Sequence, residues 1–185
     1  LQKKISYLHL NIKGFGNVWI PEGIKIILSN FLKKKKSSFK MKENILVAGG
    51  TGFIGKNFIS FLLKKRKFNI YSLSNKKIKK EQKIRKVKYI FCNLKNKNQL
   101  KKKLNFKLHY IVNFAGHINH YESKKTYETH YLGLKNLSDI FCNKKIKKFI
   151  QIGSSVEYGF LKSPQNEEND TDVKKLKSVY GKSKL

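Results

Sequence analysis

The segment Ile45-Leu46-Val47-Ala48 is a short, uninterrupted apolar run that ends in Gly49-Gly50-Thr51-Gly52-Phe53-Ile54-Gly55. An apolar run of that length reads as a buried strand, and the glycine-rich turn after it opens a helix. The spacing of Gly49, Gly52 and Gly55 constrains the fold strongly. The first position permits a tight turn, the second lets backbone approach a pyrophosphate, and the third allows close helix–strand packing. Backbone N–H groups at the helix start then face an anion, helped by the helix dipole. The turn therefore predicts a dinucleotide site at the edge of a sheet.

The rest of the chain supplies that sheet. After Asn44, short apolar runs alternate with amphipathic stretches. Phe53, Ile54, Phe58, Ile59, Phe61, Leu62 and Leu63 form an apolar helical stripe flanked by lysines. Strands are expected at Phe68 to Leu73, Val87 to Phe91, Leu108 to Phe114 and Phe149 to Ile152. A long helix is expected from Tyr121 to Asn143, with apolar positions at Tyr127, Tyr131, Leu134, Leu137 and Phe141. Strands alternating with helices imply parallel pairing through right-handed crossovers, hence an α/β, doubly wound parallel sheet of Rossmann type.

A formal charge of +31 suggests nucleic acid, but its make-up argues otherwise. Only Arg66 and Arg85 are arginines, and the lysines are spread over nearly every segment. Readers of nucleic acid favour arginine forks and gather charge on one face. Salt-sensitive adhesion to polyanions is expected, specific nucleic-acid binding is not. Cys92 and Cys142 lack metal or redox spacing and read as reduced, buried thiols of a cytoplasmic protein. No apolar run approaches the roughly 18 residues that span a bilayer, so no membrane partner is expected. Met41 is the only methionine and closely precedes the first strand. Two domains are therefore read: 1–40, either upstream read-through or an N-terminal extension with a short helix at Ile24 to Leu32, and 41–185, the dinucleotide domain.

At the other end of the chain, Tyr180 and Lys184 stand four residues apart, on one face of a helix. An ordinary phenol, with a pKa near 10, is a poor base at neutral pH. An ammonium about 4 Å away, at an effective dielectric near 20, favours a phenolate by about 4 kcal/mol. That pairing suits general acid–base work. Ser154 follows the last strand, at the carboxyl edge where ligands of such sheets bind. The end of the second strand reads Ser72-Leu73-Ser74-Asn75-Lys76-Lys77, with no carboxylate before Glu81. A carboxylate there would take a ribose 2′-hydroxyl, whereas hydroxyls followed by lysines suit a 2′-phosphate. The expectation is NAD or NADP, tilted toward NADP.

Four motifs in order, Gly49–Gly55, Val112-Asn113-Phe114-Ala115-Gly116, Ile152-Gly153-Ser154-Ser155-Val156-Glu157-Tyr158-Gly159 and Tyr180–Lys184, are similar to those of the extended short-chain dehydrogenases/reductases, the NAD-dependent epimerase/dehydratase family acting on nucleotide sugars. The resemblance covers about Met41 to Leu185. It implies Tyr180 as acid/base, Lys184 as the group that binds nicotinamide ribose and supports the phenolate, and Ser154 as the residue orienting the sugar. It further implies cofactor contacts from Gly49, Thr51, Gly52, Phe53, Ile54, Gly55, Ser74, Asn93, Leu94, Asn113, Ala115 and Gly116, besides Tyr180 and Lys184. Substrate contacts fall to Ser154, Ser155 and His117. In such a family the part gripping the nucleotide sugar lies further on, so the chain reads as truncated before its C-terminal substrate-binding part. A homodimer is implied for the full-length protein.

Departures from the family pattern narrow the reaction. Sugar 4,6-dehydratases of the family carry an acid within two residues after the serine or threonine, whereas Ser155 and Val156 stand here. Glu157 comes one step late and, if the strand continues, points to the opposite side. Epimerisation or 4-keto reduction is therefore expected over dehydration, with a non-catalytic NAD(P)-binding regulator as the rival. Asn93 stands in place of the family's usual aspartate beside adenine, and His130 in place of a frequent asparagine. His117 and His120, with Glu122 nearby, lack a third ligand at metal spacing, and no metal is expected.

Overall fold

The computed structural model describes residues 7–12, 16–21, 42–159, 164 and 172–185. The chain divides into two compact units, residues 1–40 with 160–170, and residues 41–159 with 171–185. In the first, β1 (Tyr7–Ile12) pairs antiparallel with β2 (Gly16–Pro21), Ile12 lying opposite Gly16. This hairpin is not among the sequence expectations, and the helix expected at Ile24 to Leu32 lies outside the described residues.

The second unit is built on five parallel strands in the order β5-β4-β3-β6-β7. These are β3 (Glu43–Ala48), β4 (Phe68–Ser74), β5 (Val87–Phe91), β6 (Tyr110–Asn113) and β7 (Lys148–Gln151). The chain builds outward from β3 in one direction, then returns to start β6 on its other side. The carboxyl ends of β3 and β6 thus diverge, the switch point where such sheets bind ligands. Ala48 sits level with Leu73 on one side and Asn113 on the other, so both neighbouring strands end beside the glycine turn.

Burial on both faces explains the unbroken apolar run of β3: Ile45, Leu46, Val47 and Ala48 are all fully buried. Leu46 and Ala48 join Leu73, Leu100, Leu104, Ile111, Leu137 and Phe141 in one cluster under the helices that follow β5 and β6. Each such side chain contributes about 1.5–3 kcal/mol on leaving water. On the opposite face α1 (Phe53–Lys65) buries Ile59 and Leu62 against the sheet. It ends at Arg66, whose left-handed φ of 52° turns the chain back, and Lys64 and Lys65 complement the dipole of its last turn. The short α2 (Lys97–Lys103) starts where the Asn96 side chain accepts the Gln99 N–H at 2.9 Å.

The long helix spans Ser123 to Phe141 in three stretches. These are α3 (Ser123–Tyr127), a π-helical turn (Glu128–Leu132) and α4 (Gly133–Phe141). Of the apolar stripe the sequence suggests, Leu137 and Phe141 are buried in the core, but its N-terminal part is not packed. Tyr127 and Tyr131 are 48% and 42% exposed and stack on each other, centroids 5.0 Å apart. Thr126, His130, Gly133 and Asn136 are buried in their stead. Small and polar residues win because they fit: a Cβ on Gly133 would stand 3.1 Å from Leu94, and Asn136 donates to the carbonyls of Leu94 and Lys95 at 2.8 and 3.2 Å. Cys92 is buried as expected, but Cys142 is exposed just beyond α4, and both thiols are free. No helix of the described residues is long and apolar enough to cross a membrane.

Candidate active site

At the switch point the site is made of missing side chains. Gly49 has a φ of +72°, and a Cβ there would lie 2.7 Å from the Ala115 nitrogen and 2.8 Å from the Phe114 carbonyl carbon. On Gly55 a Cβ would stand 2.3 Å from the Gly49 oxygen and 2.6 Å from the Gly50 Cα, so α1 rests directly on the turn. Gly50, which the glycine spacing does not single out, is also crowded, by side chains rather than backbone, since its Cβ would meet Ser72 Oγ at 2.4 Å. Gly52 differs: it is exposed, and a Cβ there would find only the Gly49 oxygen, at 3.3 Å. It N-caps α1 without a side-chain hydrogen bond and with no acid in the first turn. The helix N-terminus therefore turns an end without a side-chain cap, and its positive dipole, to the crevice. Phe53 and Ile54, expected in the buried stripe, are 50% and 57% exposed, because this first turn stands free of the sheet.

Beside the turn, Thr51 Oγ1 donates to Ser74 Oγ at 3.1 Å, and Ser74 Oγ accepts the Lys76 N–H at 3.1 Å. A cavity of about 230 Å³ opens there, lined by Ser74, Lys76, Lys77, Lys83, Tyr89 and Phe91 among others, with no carboxylate among the described residues of its wall. Asn93 is exposed and its Oδ1 accepts the Lys95 N–H at 3.0 Å, whereas the Leu94 side chain is sunk in the core. Across the crevice, Asn113 is buried, donating to Gln151 Oε1 at 2.7 Å and accepting the Ala115 N–H at 3.1 Å. It braces the chain that leaves β6 past Ala115.

The second half of the site lies at the ends of β6 and β7, beneath α5 (Val179–Lys184). Ser178 caps that helix, accepting the Gly181 N–H at 3.0 Å. Gly181 is buried, and a Cβ on it would come 3.2 Å from the Val156 oxygen, which seats α5 on the turn after β7. Lys184 Nζ donates to the Ile152 carbonyl at 2.7 Å and lies 5.9 Å from the centroid of the Tyr180 ring. Burial pulls its pKa below the ordinary lysine value, and Glu157 opposes that shift.

Ser154 begins a 3₁₀ turn, Ser155–Tyr158, so the strand does not run on to Glu157. The condition under which Glu157 would point to the opposite side is therefore not met. The turn folds its carboxylate back, where Oε1 accepts the Ser154 N–H at 2.6 Å. Burial raises the Glu157 pKa, against the lowering effects of the Ser154 amide and Lys184. Ser154 Oγ accepts the Val156 N–H at 3.4 Å, which leaves its own O–H free to donate. Ser155 is exposed on the outside of the turn.

Two histidines pack against Tyr180. His120 stacks on its ring, with centroids 3.9 Å apart and planes within 11°. His130 meets the ring edge-on at 5.1 Å. His130 is buried within the π-helical turn and accepts the His117 N–H on Nε2 at 3.1 Å. Its Nδ1 is buried without a hydrogen-bond partner among the described residues. Burial, and then the charge of Lys184, push its pKa down to about 4, so it is a neutral imidazole at physiological pH. Only glycine fits opposite it: a Cβ on Gly116 would stand 2.6 Å from His130 Cε1. His117 has its Nε2 3.5 Å from Glu122 Oε1, while His120 faces Tyr180. Among the described residues no three His, Cys, Asp or Glu side chains converge on one point. A cavity of about 580 Å³ in front of Tyr180 is lined by Asn119, His120, Tyr121, Ser123, Lys177 and Ser178 among others.

Comparison with known proteins bears on this arrangement. A family profile described as NAD dependent epimerase/dehydratase family matches residues 45–185. No curated protein matches the chain. The Bordetella bronchiseptica enzyme WbmG, crystallised with NAD and UDP, superposes with a TM-score of 0.68 at 21% identity, over 78% of this chain and 47% of its own. Helicobacter pylori ADP-L-glycero-D-manno-heptose-6-epimerase gives 0.64 at 24% identity, over 77% and 48% of the two chains. Bacillus anthracis dTDP-glucose 4,6-dehydratase, crystallised with NAD, gives 0.60 at 25% identity, over 77% and 47%. The chain thus spans about half the length of these structures.

Proposed function

Because the chain belongs to the NAD-dependent epimerase/dehydratase family, we propose that it is the cofactor-binding and catalytic part of an enzyme that modifies a nucleotide sugar by epimerisation or 4-keto reduction. One observation above others supports this reading. The Lys184 ammonium hydrogen-bonds the carbonyl of Ile152, two residues before Ser154, and so gathers Ser154, Tyr180 and Lys184 at one sheet edge beside the glycine crevice.

The residues of the crevice fit a pyridine dinucleotide. The open side of Gly52 and the uncapped start of α1 suit its pyrophosphate. The cavity lined by Lys76, Lys77 and Lys83, free of carboxylates, favours a 2′-phosphate and hence NADP over NAD. When bound, the nicotinamide supplies a hydride acceptor or donor. Tyr180 accepts or returns the proton of the reacting sugar hydroxyl. Lys184 keeps a positive charge beside that phenol, and the Ser154 O–H orients the sugar oxygen. Glu157, its carboxylate committed to the Ser154 amide, is not poised as the acid of a dehydratase. The exposed Tyr127–Tyr131 stack supports self-association as a homodimer, and the free thiols of Cys92 and Cys142 suit the cytoplasm.

The test is Tyr180→Phe in the protein expressed from its complete reading frame. Turnover of a nucleotide sugar is expected to fall by about 10²–10⁴-fold, with NADH or NADPH affinity within about twofold of the parent, a change of roughly 0.4 kcal/mol. Undiminished turnover would remove Tyr180 from the chemistry, whereas a parent protein that binds NADH or NADPH without turnover would favour the non-catalytic regulator.

A further inference from the structure

Glu157 stands out in a chain with 42 basic and 11 acidic residues. Its carboxylate is turned inward, its Oε1 2.6 Å from the Ser154 nitrogen, at the point where β7 hands over to the site. Room for it is made by Gly153, on which a Cβ would lie 2.9 Å from that same Oε1. The turn it belongs to is the surface on which α5 sits, through the contact of Gly181 with Val156. Lys184 projects from α5 to the Ile152 carbonyl on this side, within the field of Glu157.

We propose that Glu157 is a positioning residue of the site: one inward carboxylate fixes the backbone of Ser154 and serves as counter-charge to Lys184. This rests on the proposed function and extends it to a residue outside the Ser154, Tyr180 and Lys184 set. The two effects are separable. The hydrogen bond sets the geometry of Ser154 and requires only an acceptor oxygen. The charge keeps Lys184 protonated in a place where burial works against its ammonium. The ionisable groups facing the pair are Glu157 on the turn, Lys184 and Tyr180 on α5, and His130 from the π-helical turn, which is neutral above about pH 4. On β7, the titratable Lys148 is exposed at the far end of the strand.

Glu157→Gln separates the two effects, since an amide oxygen still accepts the Ser154 N–H but brings no charge. Glu157→Ala removes both. NADH binding to the full chain, measured by fluorescence from pH 6 to 10, is the readout. Without the counter-charge the Lys184 pKa falls further, so in Glu157→Gln the alkaline loss of NADH affinity begins about one pH unit lower, or about tenfold weaker binding across that interval. At pH 6 to 7 its affinity stays near that of the parent, while Glu157→Ala binds more weakly at every pH. A Glu157→Gln profile superimposable on the parent overturns the inference and leaves Glu157 as a turn cap. Absence of NADH binding by the parent chain itself overturns the underlying reading, and this inference with it. Should Glu157→Gln fail to fold, the coupling is read in the parent by NMR. The Glu157 carboxyl carbon is then expected to show a second inflection at the pH where Lys184 Nζ deprotonates, and its absence overturns the inference.

Discussion

The glycine crevice and the Tyr180 corner lie at the same edge of the same sheet, yet they are built by opposite means. Around Gly49 and Gly55 the structure works by exclusion, backbone resting on backbone where a Cβ would stand within 2.3 to 2.9 Å of its neighbours. Around Tyr180 it works by addition, with His120, His130, Lys184 and Glu157 arriving from four separate segments. The first arrangement tolerates no added atom at Gly49 or Gly55, and what it needs from Phe114 and Ala115 is their backbone alone. The second depends on contacts between residues far apart in the chain, and its chemistry is set by burial as much as by residue type.

The sharpest way to break this contrast is to fill the crevice. Gly55→Val forces a side chain against the Gly49 oxygen, which a Cβ alone would approach to 2.3 Å. It is expected to cost about 3 kcal/mol or more in urea unfolding and to abolish NADH binding. A variant of parental stability that still binds NADH would show that the turn can move, and that its glycines are not what shapes the crevice.

The Tyr180 corner is expected to respond to pH where the crevice does not. His130 titrates near pH 4 in the fold against an ordinary value of 6.5. Between those values the unfolded chain binds the proton that the folded one refuses, so stability is lost as pH falls. The loss attributable to His130 is up to about 3 kcal/mol. In His130→Asn the decline in stability from pH 6.5 to 4 should be shallower than in the parent by an amount of that order. Parallel declines would mean that His130 is not held neutral by its surroundings.

The same contrast governs what the residue order reveals. The strand Val87–Phe91 lies where its β-branched and aromatic run puts it, and the glycine spacing leads directly to the switch point, because both are local properties. The side taken by Glu157 is left open by the sequence for a physical reason: it depends on whether the strand runs on, and the chain instead turns at Ser154 into a capped 3₁₀ turn. Tyr127 and Tyr131 read as core because they are apolar, whereas the buried face of that helix is chosen by fit to Leu94 and by hydrogen bonds to its carbonyl. His120, in sequence no more than a weak metal pair with His117, gains its place only once α5 brings Tyr180 beneath it. Gly50 is legible in principle, since it adjoins Gly49 in the turn.

The central claim is that the crevice between β3 and β6 holds a pyridine dinucleotide with its nicotinamide end beside Tyr180. Titration of the chain with NADH and with NADPH, followed by calorimetry and nucleotide fluorescence, tests it most directly. Saturable binding at one site per chain is expected, tighter for NADPH, with the preference lost in a Lys76→Ala, Lys77→Ala double variant. Binding of neither nucleotide by the folded chain would contradict it.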